Sequence, residues 1–163
     1  MIQRVQSIFL LLAAITMVAM LFFPLFQKVD TENKERITVS ALNIVHDKQN
    51  SETEEPEVIK ETPLYPIAGL SILAAAIALF SIFKYDNRLT QMKLGALNSL
   101  VIAAAMGVSV YYIFEVEKLL PPEAPVAYLP GFYFTAAALF FNALANRFIR
   151  RDEKLVRSAD RIR

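Results

Sequence analysis

Cysteine is absent from this 163-residue chain, histidine occurs once, and there are four glycines. The first absence removes disulfides, thiol nucleophiles and cysteine-based metal sites, and leaves the redox compartment unreadable. Four scattered glycines do not make a phosphate-binding loop. His46 has no serine or cysteine nucleophile in its sequence context, so nucleophilic hydrolysis is not supported and the chain is read as a non-enzyme. Its longest apolar runs carry no Asp, Glu, Lys, Arg or His in their central turns, where ion- or proton-coupled transporters usually place one. No internal repeat relates the two halves, which removes the inverted-repeat clue to a transporter.

Apolar sequence is abundant. Hydrophobic residues make up 55% of the chain and mean hydropathy is positive, too apolar for an ordinary soluble domain of this size. A hydrocarbon core about 30 Å thick needs about 20 apolar helical residues, because each backbone amide must find its partner inside the segment. Four segments qualify, at 5–26, 64–83, 94–114 and 127–148. Arg4 ahead of the first run imitates a secretory signal, but the run is too long and no Ala-x-Ala site closes it. It is taken as a retained span. Pro63 and Pro66 open the second span, Pro24 bends or ends the first, and Pro121, Pro122, Pro125 and Pro130 mark a stiff third connection. The expected fold is an all-α membrane protein: one domain over 1–163, built as a four-transmembrane-helix bundle with an outer loop at 27–63 and a tail at 149–163.

Charge sorts along the chain and sets the expected orientation. Arg4, the loop holding Lys84, Arg88 and Lys93, and the tail from Arg147 carry 11 Lys and Arg against four acids. The outer loop and the turn after Glu115 carry six Lys and Arg against 12 acids. By the positive-inside rule both termini are cytoplasmic, and tyrosines near the span ends agree with an interfacial belt. In the outer loop Ile37 to Val45 is rich in β-branched residues and Val58-Ile59 forms a second patch, compatible with a two-stranded hairpin. The polar segment 47–57 between them reads as a mobile tip. Glu115, Glu117 and Glu123 with Glu52, Glu54, Glu55 and Glu57 make an acidic surface with no metal-ligand motif, so neither a metal nor another cofactor is assigned.

Three features could carry function. On the third span Gly95, Ser99, Ala103 and Gly107 recur at every fourth residue, and such small side chains let another helix approach closely. That neighbour is either the fourth span or a helix of a second copy or another membrane protein. Asn98, Asn142 and Asn146, with Gln6, Ser7, Ser81 and Ser99, fall in the cytoplasmic half, within about two turns of that surface. Asn98 and Asn142 are matched for an interhelical hydrogen bond of about 0.6 to 2 kcal/mol. This polar layer is either packing glue or the floor of a pocket, which would make the protein a small-molecule channel or transporter. In the tail, Arg147, Arg150, Lys154, Arg157 and Arg161 form one stripe of an amphipathic helix, opposite Phe148, Leu155, Ala159 and Ile162. Anionic lipid head groups suit that stripe. Nucleic acid does not, because no aromatic platform or recognition motif accompanies the charge.

The opening MIQRVQSIFLLLAA and the closing DEKLVRSADRIR, flanking four apolar runs, resemble the Bacteroidetes membrane proteins grouped as domain of unknown function 4293. The resemblance covers essentially the whole chain and rests on those two end segments. It implies a multi-pass protein of the inner membrane of a two-membrane bacterium, and it brings no catalytic residue with it. The functional expectation is a non-enzymatic accessory or scaffold protein acting through helix packing and its basic cytoplasmic tail.

Overall fold

The computed structural model describes residues 2–49, 56–85 and 87–160. Four helices, α1 (Ile2–Ala19), α2 (Tyr65–Phe83), α3 (Arg88–Glu117) and α4 (Pro130–Asp160), are joined to five strands, β1 (Phe26–Asp30), β2 (Glu35–Val39), β3 (Asn43–Gln49), β4 (Pro56–Pro63) and β5 (Val126–Tyr128). The strands form one antiparallel sheet in the order β4-β3-β2-β1-β5. The all-α expectation is therefore overturned: the first loop is a four-stranded meander rather than a hairpin, and the third connection adds a fifth strand.

Each correction has a local cause. The first apolar run does not continue to Phe26, because Pro24 lacks an amide donor and disfavours helix at the residue before it. Helix α1 stops at Ala19, a turn follows, and Leu25 N–H donates to Val39 O at 2.8 Å as the chain enters the sheet. Segment 37–45 is not one strand, because Ser40 turns it: its hydroxyl donates to Asn43 O at 2.8 Å, and Ser40 N–H donates to the same carbonyl. The start of the fourth run, Ala127 and Tyr128, pairs with Gln27 and Phe26 of β1, so helix begins only at Pro130. Apolar strand and apolar helix end look alike to a hydropathy window.

Helix starts follow ordinary rules. Asn87 accepts from Thr90 N–H at 3.0 Å and caps α3, while a proline occupies the first turn of α2, where a missing donor costs least. In the β1–β2 turn Asp30 Oδ1 accepts from Glu32 and Asn33 N–H at 2.9 and 3.3 Å, and Lys34 takes the left-handed conformation at φ 57°. The Asn33 side chain also donates to Asp30, and these bonds hold its carboxyl below the usual range against the opposing effect of desolvation.

The helices pack as a ring in which α1 and α3 each lie against both α2 and α4. Three of them, α2, α3 and Pro130–Val156 of α4, are long and apolar enough to cross a membrane, whereas the apolar part of α1, Val5–Ala19, is shorter. The sheet stands at the end of the ring where α1 and α3 finish and α2 and α4 begin. Its inward residues Phe26, Ile37 and Val39 share one buried cluster with Met17, Met20, Ile67, Ile113 and Val116, so sheet and helices have a common core. Glycine is required at Gly131, where a Cβ would lie 2.5 Å from Phe23 O and 2.8 Å from Pro24 O.

Candidate functional site

The buried face of α3 runs through Gln91, Gly95, Asn98, Ile102, Ala105, Ser109, Ile113 and Val116. Steps of three and four alternate along most of that face, averaging close to the 3.6-residue turn. The small-residue stripe steps by four throughout, so it rotates about 40° around the helix at each step. It cannot stay on one face. Gly95 is buried and Ser99 half-buried against α4, while Ala103 and Gly107 are exposed. Nothing approaches the Cβ position of Gly107 within 4 Å.

At Gly95 the neighbour is α4. An added Cβ would fall 1.8 Å from Asn146 Oδ1, so the absence of a side chain is what seats the Asn146 amide. One turn further, Asn98 Nδ2 donates to Asn142 Oδ1 at 3.1 Å. Asn142 Nδ2 donates in turn to Gly95 O at 2.9 Å and to Ser99 Oγ at 2.8 Å. Asn142 is thus the hub of the layer. A side-chain amide that bonds a backbone carbonyl and a hydroxyl on the facing helix fixes both axial register and rotation of the pair.

A second group lies nearer the open end of the ring. Gln91 Nε2 donates to Ser81 O at 2.8 Å, closing the last turn of α2, and Gln6 Nε2 reaches Gln91 Oε1 at 3.4 Å. Sequence reasoning placed Gln6 and Ser81 in the layer but left Gln91 in the loop, because the third span was expected to begin at Leu94. Its separation of seven residues from Asn98 was the available signal. Among the described residues of this layer, four buried side-chain oxygens keep no hydrogen-bond partner: Gln6 Oε1, Ser81 Oγ, Asn98 Oδ1 and Asn146 Oδ1.

The far end of α4 is cationic. Arg147, Arg150, Arg151 and Lys154 are exposed, and with Ser99 and Asn146 they line a groove of about 820 Å³. None of the four forms an ion pair among the described residues. Arg151 was not assigned to the expected stripe; Arg157 falls within α4, and Arg161 lies outside the described residues, as do Glu52, Glu54 and Glu55. The start of this segment is held in place. Phe148 stacks on Phe9 of α1 at 5.5 Å between ring centroids, and Arg88 Nε lies 2.8 Å from Asp152 Oδ2, tying α4 to the start of α3.

At the opposite end stands a residue that no sequence signal marked. Lys28 points inward from β1 between Phe26 and Asp30 and is 1% exposed. Its ammonium donates to Glu117 O at 2.7 Å and Leu120 O at 3.1 Å. Glu117 O is the last carbonyl of α3, where the helix leaves acceptors unpaired and carries its negative dipole end, and Leu120 O belongs to the turn that follows. Elsewhere on the sheet, Arg36 pairs with Asp47, and Glu35 lies 3.1 Å from Lys48 Nζ and 3.4 Å from His46 Nε2. Lys48 chiefly, with His46, holds the Glu35 carboxyl below its usual range despite opposing desolvation. Among the described residues no group of three or more His, Asp or Glu is arranged to hold a metal.

The class follows from these features: a chain with three helices suited to crossing a bilayer, joined to an antiparallel sheet at one end and carrying a cationic helix end at the other. Length and apolarity of those helices point to membrane association. The chain belongs to the family described as Domain of unknown function (DUF4293), whose model matches residues 2–162. None of the curated proteins matches it.

Proposed function

We propose that this protein is a multi-pass inner-membrane protein with cytoplasmic termini, not an enzyme, which serves as an accessory or scaffold subunit. The observation that carries the reading is the cluster of exposed, unpaired cations at the end of α4. The amides of the polar layer meanwhile bond mainly to each other and to backbone. Side chains already engaged in register-setting bonds favour packing over turnover, and free cations at a helix end favour an anionic contact. Expected partners are anionic head groups at the cytoplasmic surface, together with a second copy or another membrane protein at the exposed part of α3 around Ala103 and Gly107. Nucleic acid is not an expected partner. Crosslinking in membranes followed by purification in mild detergent tests the scaffold role, and a strictly monomeric protein with no recurrent partner would sink it. For orientation, a cysteine in place of exposed Glu57 should react with an impermeant thiol reagent added outside, and one at Ser158 should not.

The unpaired buried oxygens of Asn98 and Asn146 favour one alternative, a small-molecule channel or transporter using the polar layer. On that reading leucine at Asn98 and Asn142 abolishes a transport phenotype, whereas on ours it lowers stability.

A further inference from the structure

The cations at the end of α4 border a shaped groove, which distinguishes them from a diffuse basic surface. The groove runs from Ala143 to Lys154, about 16 Å along the helix at about 1.5 Å per residue. Its wall changes character on the way. At the upper end are Ala143 and Leu144, with Ser99 of α3 opposite; at the lower end are Arg147, Arg150, Arg151 and Lys154. Beyond Ala143 the same side of α4 continues by helical spacing to Phe140, which is 61% exposed.

A free phosphate or other small soluble anion needs charge around it and gains nothing from an apolar wall. A ligand with phosphate at one end and hydrocarbon at the other matches the gradient, with its polar end at the depth where α4 leaves the apolar zone. Four cations within about two turns of helix exceed the charge of a single phosphodiester and suit two. Asn146, 8% exposed, lines the groove between these ends, while its amide oxygen is turned to Gly95 of α3 and holds the two helices together along the groove's inner wall. Of the neighbouring acids, Asp152 is engaged by Arg88 of α3.

We infer that this groove is a stoichiometric binding site for a two-phosphate anionic phospholipid, its phosphates held by Arg147, Arg150, Arg151 and Lys154 and an acyl chain lying along Ala143, Leu144 and Phe140. The inference rests on the proposed membrane orientation and gives the basic tail a discrete ligand.

The test is retention of lipid by the full chain purified in detergent, counted by native mass spectrometry, and binding to nanodiscs containing diphosphatidylglycerol, phosphatidylglycerol or phosphatidylcholine. Wild type should retain about one two-phosphate lipid. Arg147→Ala/Arg151→Ala should weaken that by about 30-fold, from about 1 kcal/mol per basic residue. Ala143→Phe, which keeps every charge but fills the exposed upper groove, should also release it. Lys84→Ala/Lys93→Ala, exposed cations of the same expected face but outside the groove, should change retention less than about twofold on the same scale. Equal loss in the two double variants with Ala143→Phe silent would overturn the site while leaving a diffuse basic surface. No preference of the wild type for any anionic lipid would overturn the tail reading as well. Displacement of the lipid by millimolar inorganic phosphate would reassign the groove to a soluble anion and refute the proposal.

Discussion

Replacing Lys28 with methionine removes the ammonium but keeps a stem of similar length, so packing of β1 is conserved while two bonds are lost. Glu117 O and Leu120 O, now 2.7 and 3.1 Å from the nitrogen, would be left without that donor at the end of α3. Orphaning a buried acceptor costs about 1 to 3 kcal/mol, and loss of a cation from a helix C-terminus adds about 0.3 to 1 kcal/mol. Against this stands relief from burying an ammonium, which takes back a share of the same order. The expected net loss is about 2 kcal/mol, close to a 30-fold shift in the folding equilibrium. Reversible unfolding in detergent, followed by far-ultraviolet circular dichroism and by protease access to the β1–β2 turn, measures it. The turn should become accessible before helical signal is lost, since Lys28 ties sheet to helix. A Lys28→Met protein as stable as wild type, with the turn equally protected, would refute the reasoning and identify the ammonium as a net cost.

Leucine at Asn142 should destabilise more than leucine at Asn98, because Asn142 makes three hydrogen bonds and Asn98 one; at about 0.6 kcal/mol per interhelical bond the gap is about 1 kcal/mol by unfolding in detergent. Gly95→Ala should cost about 1 to 3 kcal/mol by overpacking onto Asn146, and much less when Asn146 is already alanine, a coupling that a double-mutant cycle reads directly. Glu35, whose folded-state pKa lies below its ordinary 4.5, contributes stability that is complete above that value and fades as pH falls through the lower folded one. Glu35→Gln should therefore flatten the acid limb of a stability–pH curve below about 4.5 and leave the shape near neutrality unchanged.

Length, apolar periodicity and charge asymmetry were sufficient to locate the four helical segments and to single out the Asn98–Asn142 depth match, since depth along a straight helix is only a residue count times a fixed rise. Gln91 escaped because apolarity marks where lipid contact begins, while a helix starts where its cap is, at Asn87. The same confusion merged strand residues Phe26 and Ala127 into spans: hydropathy measures what a residue avoids, and both a bilayer and a sheet packed on helix ends satisfy it. Lys28 was beyond sequence reasoning in principle. An inward lysine on a strand looks like an outward one until the partner carbonyls, about 90 residues away, are in place.

By itself the sequence determined that this chain must hide apolar helices, that its positive charge gathers on α4 and the segments level with it, and that small and amide residues sit at matching depths. Those are properties of composition and linear spacing. Only the tertiary structure decided which neighbour each side chain meets. Stepping by four on a 3.6-residue turn sends Gly95 into α4 and leaves Gly107 in the open. Pairing of β5 with β1 turns the expected start of a span into the edge strand of a sheet, and the position of α3 beside α4 turns a row of cations into the edge of a groove.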